Sequence, residues 1–243
     1  MQKLFVAGIG AGSPENMTRE CFSALEESEL IVGYTKYVEL VKPVFPDKLY
    51  LSTPMMKEAD RCRLAIEEAL KGKTTALVCS GDSGVYGMAG LVYEVSEKYP
   101  PLEIHIIPGV TAAISGASIL GAPLTHDFAV ISLSDLLTPW ELIEKRLSLA
   151  VQAELCISLY NPASHKRSDY LKKACDIMLK SISADTVCGY VKNIYREGQE
   201  CVLTTLGELS EAKVDMFTTV FIGNSTTKVI NGKIVTPRGY RDV

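Results

Sequence analysis

Short apolar runs alternate with stretches of helical spacing along most of the chain. Lys3-Leu4-Phe5-Val6-Ala7 predicts a strand that feeds Gly8-Ile9-Gly10-Ala11-Gly12. Ser13 followed by Pro14 has the form of a helix start, and Met17, Cys21, Ala24, Leu25 and Ser28 then fall on one face. A second strand is expected at Leu30 to Gly33, and after a loop holding Pro43 and Pro46 a short one at Lys48 to Ser52. Ala59, Cys62, Ile66, Ala69 and Leu70 line a helix ahead of Thr75-Ala76-Leu77-Val78-Cys79. That last run suits the interior of a parallel sheet. It enters the loop Ser80-Gly81-Asp82-Ser83-Gly84, a helix is predicted from about Tyr86 to Lys98, and the strand Leu102 to Ile107 closes the first alternation.

The pattern then repeats. Residues 1–108 read as an N-terminal α/β lobe, 109–127 as a linker and helix, and 128–243 as a C-terminal α/β lobe. The second lobe opens with the strand Phe128 to Leu133. Thr138-Pro139-Trp140-Glu141 reads as a capping box, followed by a helix burying Trp140, Ile143, Leu147, Ala150 and Val151. A strand at Leu155 to Tyr160 stops at Asn161-Pro162, and the next helix turns Leu171, Ala174, Met178 and Ile182 inward. Strands are expected at Thr186 to Val191, Cys201 to Thr205 and Thr218 to Ile222, with Asn231-Gly232 between alternating residues as a hairpin.

Composition narrows the function classes. With 47% hydrophobic and 22% charged residues, the 243-residue chain is ordinary for a soluble protein, and its formal charge of −4 offers no net attraction to nucleic acid or an anionic membrane. The seven cysteines are scattered singly, which reads as reduced core thiols in a cytoplasmic protein, and the three histidines form no metal-ligating pair. No metal site is expected. From Ile104 to Thr125 there is no charged Asp, Glu, Lys or Arg, but Pro108-Gly109 and Gly121-Ala122-Pro123 interrupt the stretch, favouring strand, loop and buried helix over a membrane span. No signal peptide is expected at the start.

The candidate chemistry gathers at the carboxyl ends of the strands, where open α/β sheets bind ligands. Asp82 in its glycine-punctuated loop is either a site acid or the cap of the following helix. Gly8-x-Gly10 suggests a dinucleotide loop, yet Ser13 stands where a third glycine belongs and the second strand ends in Gly33-Tyr34 with no acid for a ribose, so NAD(P) fits poorly.

Three separated motifs agree on another reading. GIGAGSPENMT, SGDSGVYG and PGVTAA resemble, in that order, the motifs of the tetrapyrrole methylases, the class III S-adenosylmethionine-dependent methyltransferases. The longer stretches GAPLTHDFAVISLSDLLTPWELIEKRL and LYNPASHKR look like the group acting at C-17 of precorrin-3B or cobalt-precorrin-3 in cobalamin biosynthesis. The resemblance implies a two-lobed α/β/α fold with mixed, largely parallel sheets. It also implies a homodimer, an anionic tetrapyrrole substrate that in some pathways carries cobalt, and S-adenosylmethionine in the cleft between lobes. Carried over by position, the cofactor residues are Ala11, Ser80, Gly81, Asp82, Val85, Thr111, Ala112, Asn161 and Gly189. Ala11 and Ser83 stand where prolines are common, which implies altered loop shape. Methyl transfer from a sulfonium depends mainly on orientation, whereas the ring contraction coupled to it in this group requires proton transfers. Catalytic candidates for the latter are Asp82, Asp127, Ser134 and Asp135; His126, Ser132, Lys192 and Arg196 are candidates for holding substrate. A uroporphyrinogen or diphthine methylase of the same fold, or a non-catalytic tetrapyrrole carrier, is the alternative.

Overall fold

The computed structural model describes residues 3–164 and 167–241, in two units divided after Ala112. His165 and Lys166, part of the LYNPASHKR stretch, lie outside the described residues.

In the first unit the apolar runs become β1 (Lys3–Gly8), β2 (Leu30–Tyr34), β3 (Leu49–Thr53), β4 (Thr75–Cys79) and β5 (Glu103–Ile107). They pair in the order β3-β2-β4-β1-β5, every pair parallel, with Val6 level with Leu77 and Ile106. Successive side chains of a strand reach opposite faces, so a sheet covered on both sides requires uninterrupted apolar runs. Leu4, Val6 and Leu77 accordingly join a core beneath α3 (Glu58–Leu70) and α4 (Ala89–Ser96), while Phe5, Ala7 and Val78 join one beneath α1 (Arg19–Glu27) and α2 (Thr35–Val41).

Three local expectations are corrected here. Ser13-Pro14 opens only a short turn at Pro14–Asn16, because the Ser13 hydroxyl binds the Asn16 amide (2.8 Å); Thr18 caps α1 by accepting the Cys21 N–H at 3.1 Å. The stretch expected as loop after β2 contains α2, which buries Val38 and Val41 ahead of the two prolines. The helix expected from Tyr86 starts at Ala89, since Asp82 draws the preceding N–H groups into a turn and Tyr86 takes a left-handed φ of 53°.

The second unit opens with α5 (Ala112–Leu120), which runs into the two-residue strand β6 (Gly121–Ala122). Its main sheet uses β7 (Phe128–Ser132), β8 (Cys156–Tyr160), β9 (Val187–Lys192), β10 (Glu200–Thr205) and β11 (Thr218–Ile222), in the order β10-β9-β11-β8-β7. Only β7 and β8 run parallel; the other pairs are antiparallel. Ile143 and Leu147 of α6 (Trp140–Gln152), Leu171 and Met178 of α7 (Tyr170–Met178), and Leu206 of the short α8 (Leu206–Leu209) fill one face. On the other face α5 lies so close that a Cβ on Gly116 would stand 2.7 Å from Phe221 Cζ. Asn231 and Gly232, at φ of 49° and 72°, turn β12 (Lys228–Ile230) into β13 (Lys233–Val235) as the hairpin signal predicts, and β13 pairs with β6. Thr138 does not cap α6: Pro139 takes the cap position, without a side-chain bond. Among the described residues no helix is long and apolar enough to cross a membrane.

Candidate active site

The loops leaving β1, β4 and β5 close on one another through backbone. Gly10 and Gly81 exchange hydrogen bonds (N–H to O, 3.1 and 2.7 Å) at left-handed φ of 74° and 67°, and Ile9 N–H reaches Cys79 O at 2.8 Å. Space forces glycine elsewhere: a Cβ on Gly8 would lie 2.6 Å from Gly81 O and 2.8 Å from Gly109 N, and one on Gly109 would lie 2.1 Å from Gly81 O. At Gly81 itself a Cβ would make ordinary contact with Thr111 Cα (3.6 Å) and Ala112 N (3.7 Å), so its backbone conformation, and not crowding, requires glycine.

Asp82 fastens this junction. Its Oδ1 accepts N–H groups of Gly84 (2.8 Å) and Val85 (3.1 Å), and its Oδ2 accepts that of Gly109 (2.9 Å). The expectation of a catalytic acid meets a carboxylate engaged by backbone at both oxygens. The capping alternative is nearer the geometry, although the capped segment is a turn. The structure brings together Ala11, Ser80, Gly81, Asp82, Val85, Thr111 and Ala112 of the expected cofactor set, all on these loops of the first unit. Ser83 stays buried and donates to Ile107 O at 3.1 Å, so the serine at a position where proline is common makes a further tie to β5.

In the second unit a polar cluster forms at the carboxyl ends of the parallel neighbours β7 and β8. Ser132 Oγ accepts Asn161 Nδ2 (2.9 Å) and the Ser134 N–H (3.2 Å), with Asn161 held at φ 54°. Asp135 receives Arg167 Nε at 2.8 Å on one oxygen and the Tyr170 hydroxyl at 2.6 Å on the other; Arg167 also reaches Ser134 Oγ at 3.4 Å. The bond to Asp135 holds the Tyr170 phenol above its ordinary range, and the ring packs on Trp140 at 4.7 Å. Sequence reasoning missed Arg167 and Tyr170. Their signal was the polar run after Asn161-Pro162, which carries no spacing rule linking it to Asp135.

Other candidates lie apart. His126 and Asp127 precede β7, at the opposite end of the strand from Ser132, about 16–20 Å away at a strand's rise per residue. The Asp127 side chain is 84% exposed and its carbonyl accepts the Cys156 N–H, so it takes no part in the cluster. Gly189 sits in mid-strand, where a Cβ would meet Ile234 Cδ1 (2.8 Å) and Leu120 Cδ2 (2.9 Å): it is a packing glycine. Lys192 is paired with Asp215 at 3.0 Å, which raises its pKa, and Arg196 belongs to the following turn, donating its N–H to Asn193 O. Six cysteines are buried, but Cys201, expected in the core, is exposed because it lies on the edge strand β10. Among the described residues no group of three or more His, Cys, Asp or Glu side chains stands together as a metal site.

The family model of the Tetrapyrrole (Corrin/Porphyrin) Methylases matches residues 3–210. A probable cobalt-factor III C(17)-methyltransferase of Salmonella typhimurium is 50% identical over 238 residues, covering 98% of this chain and 99% of that one. The precorrin-3B C(17)-methyltransferase of Sinorhizobium sp is 36% identical over 246 residues, covering 98% and 96%. The crystal structure of the methyltransferase CobJ aligns with a TM-score of 0.89 at 34% identity, covering 96% of this chain and 99% of that one. Likeness of this extent, through the glycine junction and the polar cluster alike, makes this chain a member of the tetrapyrrole methylase family.

Proposed function

We propose that the chain is an S-adenosylmethionine-dependent methyltransferase acting at C-17 of precorrin-3B or cobalt-precorrin-3, with contraction of the macrocycle, in cobalamin biosynthesis. The observation that carries this reading is the junction of the loops after β1, β4 and β5, made of backbone and small residues and fastened by Asp82. Such a surface orients reactants and moves no protons, which suits group transfer; positioning contributes up to about 7–11 kcal/mol in favourable cases.

The residues fit the cofactor. Gly81 places no side chain over Thr111 and Ala112, so a ligand lying there meets backbone groups. Ala11, Ser80, Gly81, Asp82, Val85, Thr111 and Ala112 would hold it, Asp82 by fixing the Gly84, Val85 and Gly109 amides. Bound there, S-adenosylmethionine supplies an electrophilic methyl group. Asn161 serves the polar cluster by holding Ser132, and Gly189, filled in by Ile234 and Leu120, serves packing.

Ring contraction moves protons, and the β7–β8 cluster has the groups to do so: the hydroxyls of Ser132, Ser134 and Tyr170 beside the Arg167 guanidinium. Asp135 is a positioning residue here, since both oxygens are occupied in aiming Arg167 and Tyr170. Arg167 has N–H groups beyond those given to Asp135 and Ser134, and these suit a substrate carboxylate. Lys192 is likewise paired, with Asp215 at 3.0 Å. A cytoplasmic homodimer is the expected setting, with the buried thiols reduced.

Isothermal calorimetry with S-adenosylhomocysteine and with NADH tests the cofactor class. Binding of the first alone is expected; binding of NADH alone would refute the reading.

A further inference from the structure

Where β5 ends, consecutive backbone groups are each tied to a side chain from elsewhere in the first unit. Ser83 Oγ donates to Ile107 O at 3.1 Å, Thr18 Oγ1 donates to Pro108 O at 3.1 Å, and Asp82 accepts the Gly109 N–H at 2.9 Å. Ser83 and Asp82 both belong to the loop after β4. Thr18 comes from a separate element, the N-terminus of α1, 90 residues earlier in the chain. Proline has no N–H, so at Pro108 the carbonyl is the only backbone group that can be tied.

Thr18 is itself well anchored. Cys21, Ala24 and Leu25 bury α1 in the core, and the segment leading into Thr18 packs on the glycine junction, where a Cβ on Gly10 would stand 2.5 Å from Asn16 O. A threonine hydroxyl has one proton to give and lone pairs to accept with. Both capacities are used: the oxygen accepts the Cys21 N–H as helix cap, and the proton goes to Pro108 O. Capping needs only the acceptor, which aspartate supplies equally well. The donated bond is therefore the part of the contact that the helix itself does not require.

We infer that Thr18 is a positioning residue for the cofactor: by holding the Pro108 carbonyl it keeps the loop 108–111 in place, so that Thr111 and Ala112 meet the ligand already ordered. This rests on the function proposed above and adds a residue outside the expected cofactor set. Without the bond the loop is in place for only part of the time, and the apparent affinity falls by that fraction.

The test measures S-adenosylhomocysteine binding by calorimetry and stability by urea unfolding for wild type, Thr18→Ser, Thr18→Asp and Thr18→Val. Serine keeps donor and acceptor, and its affinity is expected within about twofold of wild type. Aspartate keeps the cap but has no proton to give at pH 7, and valine loses both functions. Both are expected to bind about tenfold more weakly, equivalent to about 1.4 kcal/mol and within the range of one hydrogen bond, while aspartate retains the higher urea midpoint of the two. Wild-type affinity in Thr18→Asp would leave Thr18 a helix cap alone, and a loss in Thr18→Ser equal to that in Thr18→Val would show that the hydroxyl is not what matters. Either result overturns the inference while the proposed function stands. A wild type that does not bind S-adenosylhomocysteine would overturn both.

Discussion

Replacing Gly109 by alanine places a methyl carbon 2.1 Å from Gly81 O and 2.5 Å from Gly8 O, where carbon and oxygen normally stand no closer than about 3.3 Å. All the obstructing atoms are backbone, so no side chain can swing aside; the loops must separate by roughly 1 Å. That separation strains the paired Gly10 and Gly81 hydrogen bonds and the bond from Gly109 N–H to Asp82. At about 1 kcal/mol for each neutral bond and 1.5–3 for the charged one, the expected cost is about 3–5 kcal/mol. Such a loss is a large share of a typical domain's 5–15 kcal/mol. Gly8→Ala presses on the same Gly81 oxygen at 2.6 Å, so the double variant should cost less than the sum of the two singles. Gly90→Ala, with nothing within 4 Å of the new methyl and a helix around it, should be neutral or stabilising by up to about 1 kcal/mol. Urea unfolding at constant m-value reads the stabilities, and calorimetry reads S-adenosylhomocysteine binding, which Gly109→Ala should abolish. If Gly109→Ala falls within about 0.5 kcal/mol of wild type and binds the cofactor normally, the three loops do not close as described.

The remaining predictions concern the second unit and the thiols. Asp135→Asn, which keeps shape but releases Arg167, and Tyr170→Phe, which removes one hydroxyl, should each accumulate methylated, uncontracted macrocycle in single-turnover mass spectrometry; equal slowing of both steps would return Asp135 and Tyr170 to substrate positioning alone. Burial pushes the Asp215 carboxyl up, but Lys192, the Phe217 N–H and the Thr218 hydroxyl outweigh it and leave its pKa depressed. A depressed carboxyl stabilises the fold above its unfolded pKa of about 4 and loses that contribution as pH falls through the folded value. Asp215→Asn should therefore be less stable than wild type in urea melts at pH 7, with the difference closing as the pH falls through the depressed folded value; a gap that persists in acid would contradict this assignment. Native alkylation at pH 8 should label Cys201 alone, because burial pushes the Cys21, Cys62 and Cys175 thiols up to about 12 and Cys79 to about 11; labelling of any of these before unfolding would count against the packing described.

The strands were legible because parallel sheets buried on both faces require uninterrupted apolar runs, and Leu4 to Ala7 and Thr75 to Cys79 are such runs. The Asn231-Gly232 turn was legible because few other pairs take two left-handed residues readily. Helix starts were not. Ser13 and Thr138 have the composition of caps, but the Ser13 hydroxyl is taken by Asn16 and Pro139 sets the start of α6, competing contacts that no local pattern encodes. The glycine junction was readable as motifs, yet the reason for each glycine was not: Gly81 answers to conformation and Gly8 and Gly109 to crowding. Asp135 was found by position, whereas Arg167 and Tyr170 were hidden by the sequence distance over which the fold assembles that cluster. Charge counting picked Lys192 and missed that Asp215 holds it.

The most direct measurement is a single turnover of the wild-type protein with S-adenosylmethionine and, in separate reactions, precorrin-3B, cobalt-precorrin-3 and uroporphyrinogen. At least one of the first two is expected to gain one methyl group in place of hydrogen and to contract, with one S-adenosylhomocysteine released per product, while uroporphyrinogen is left unchanged. Methylation of uroporphyrinogen, with both corrin precursors recovered intact, would contradict the proposed function.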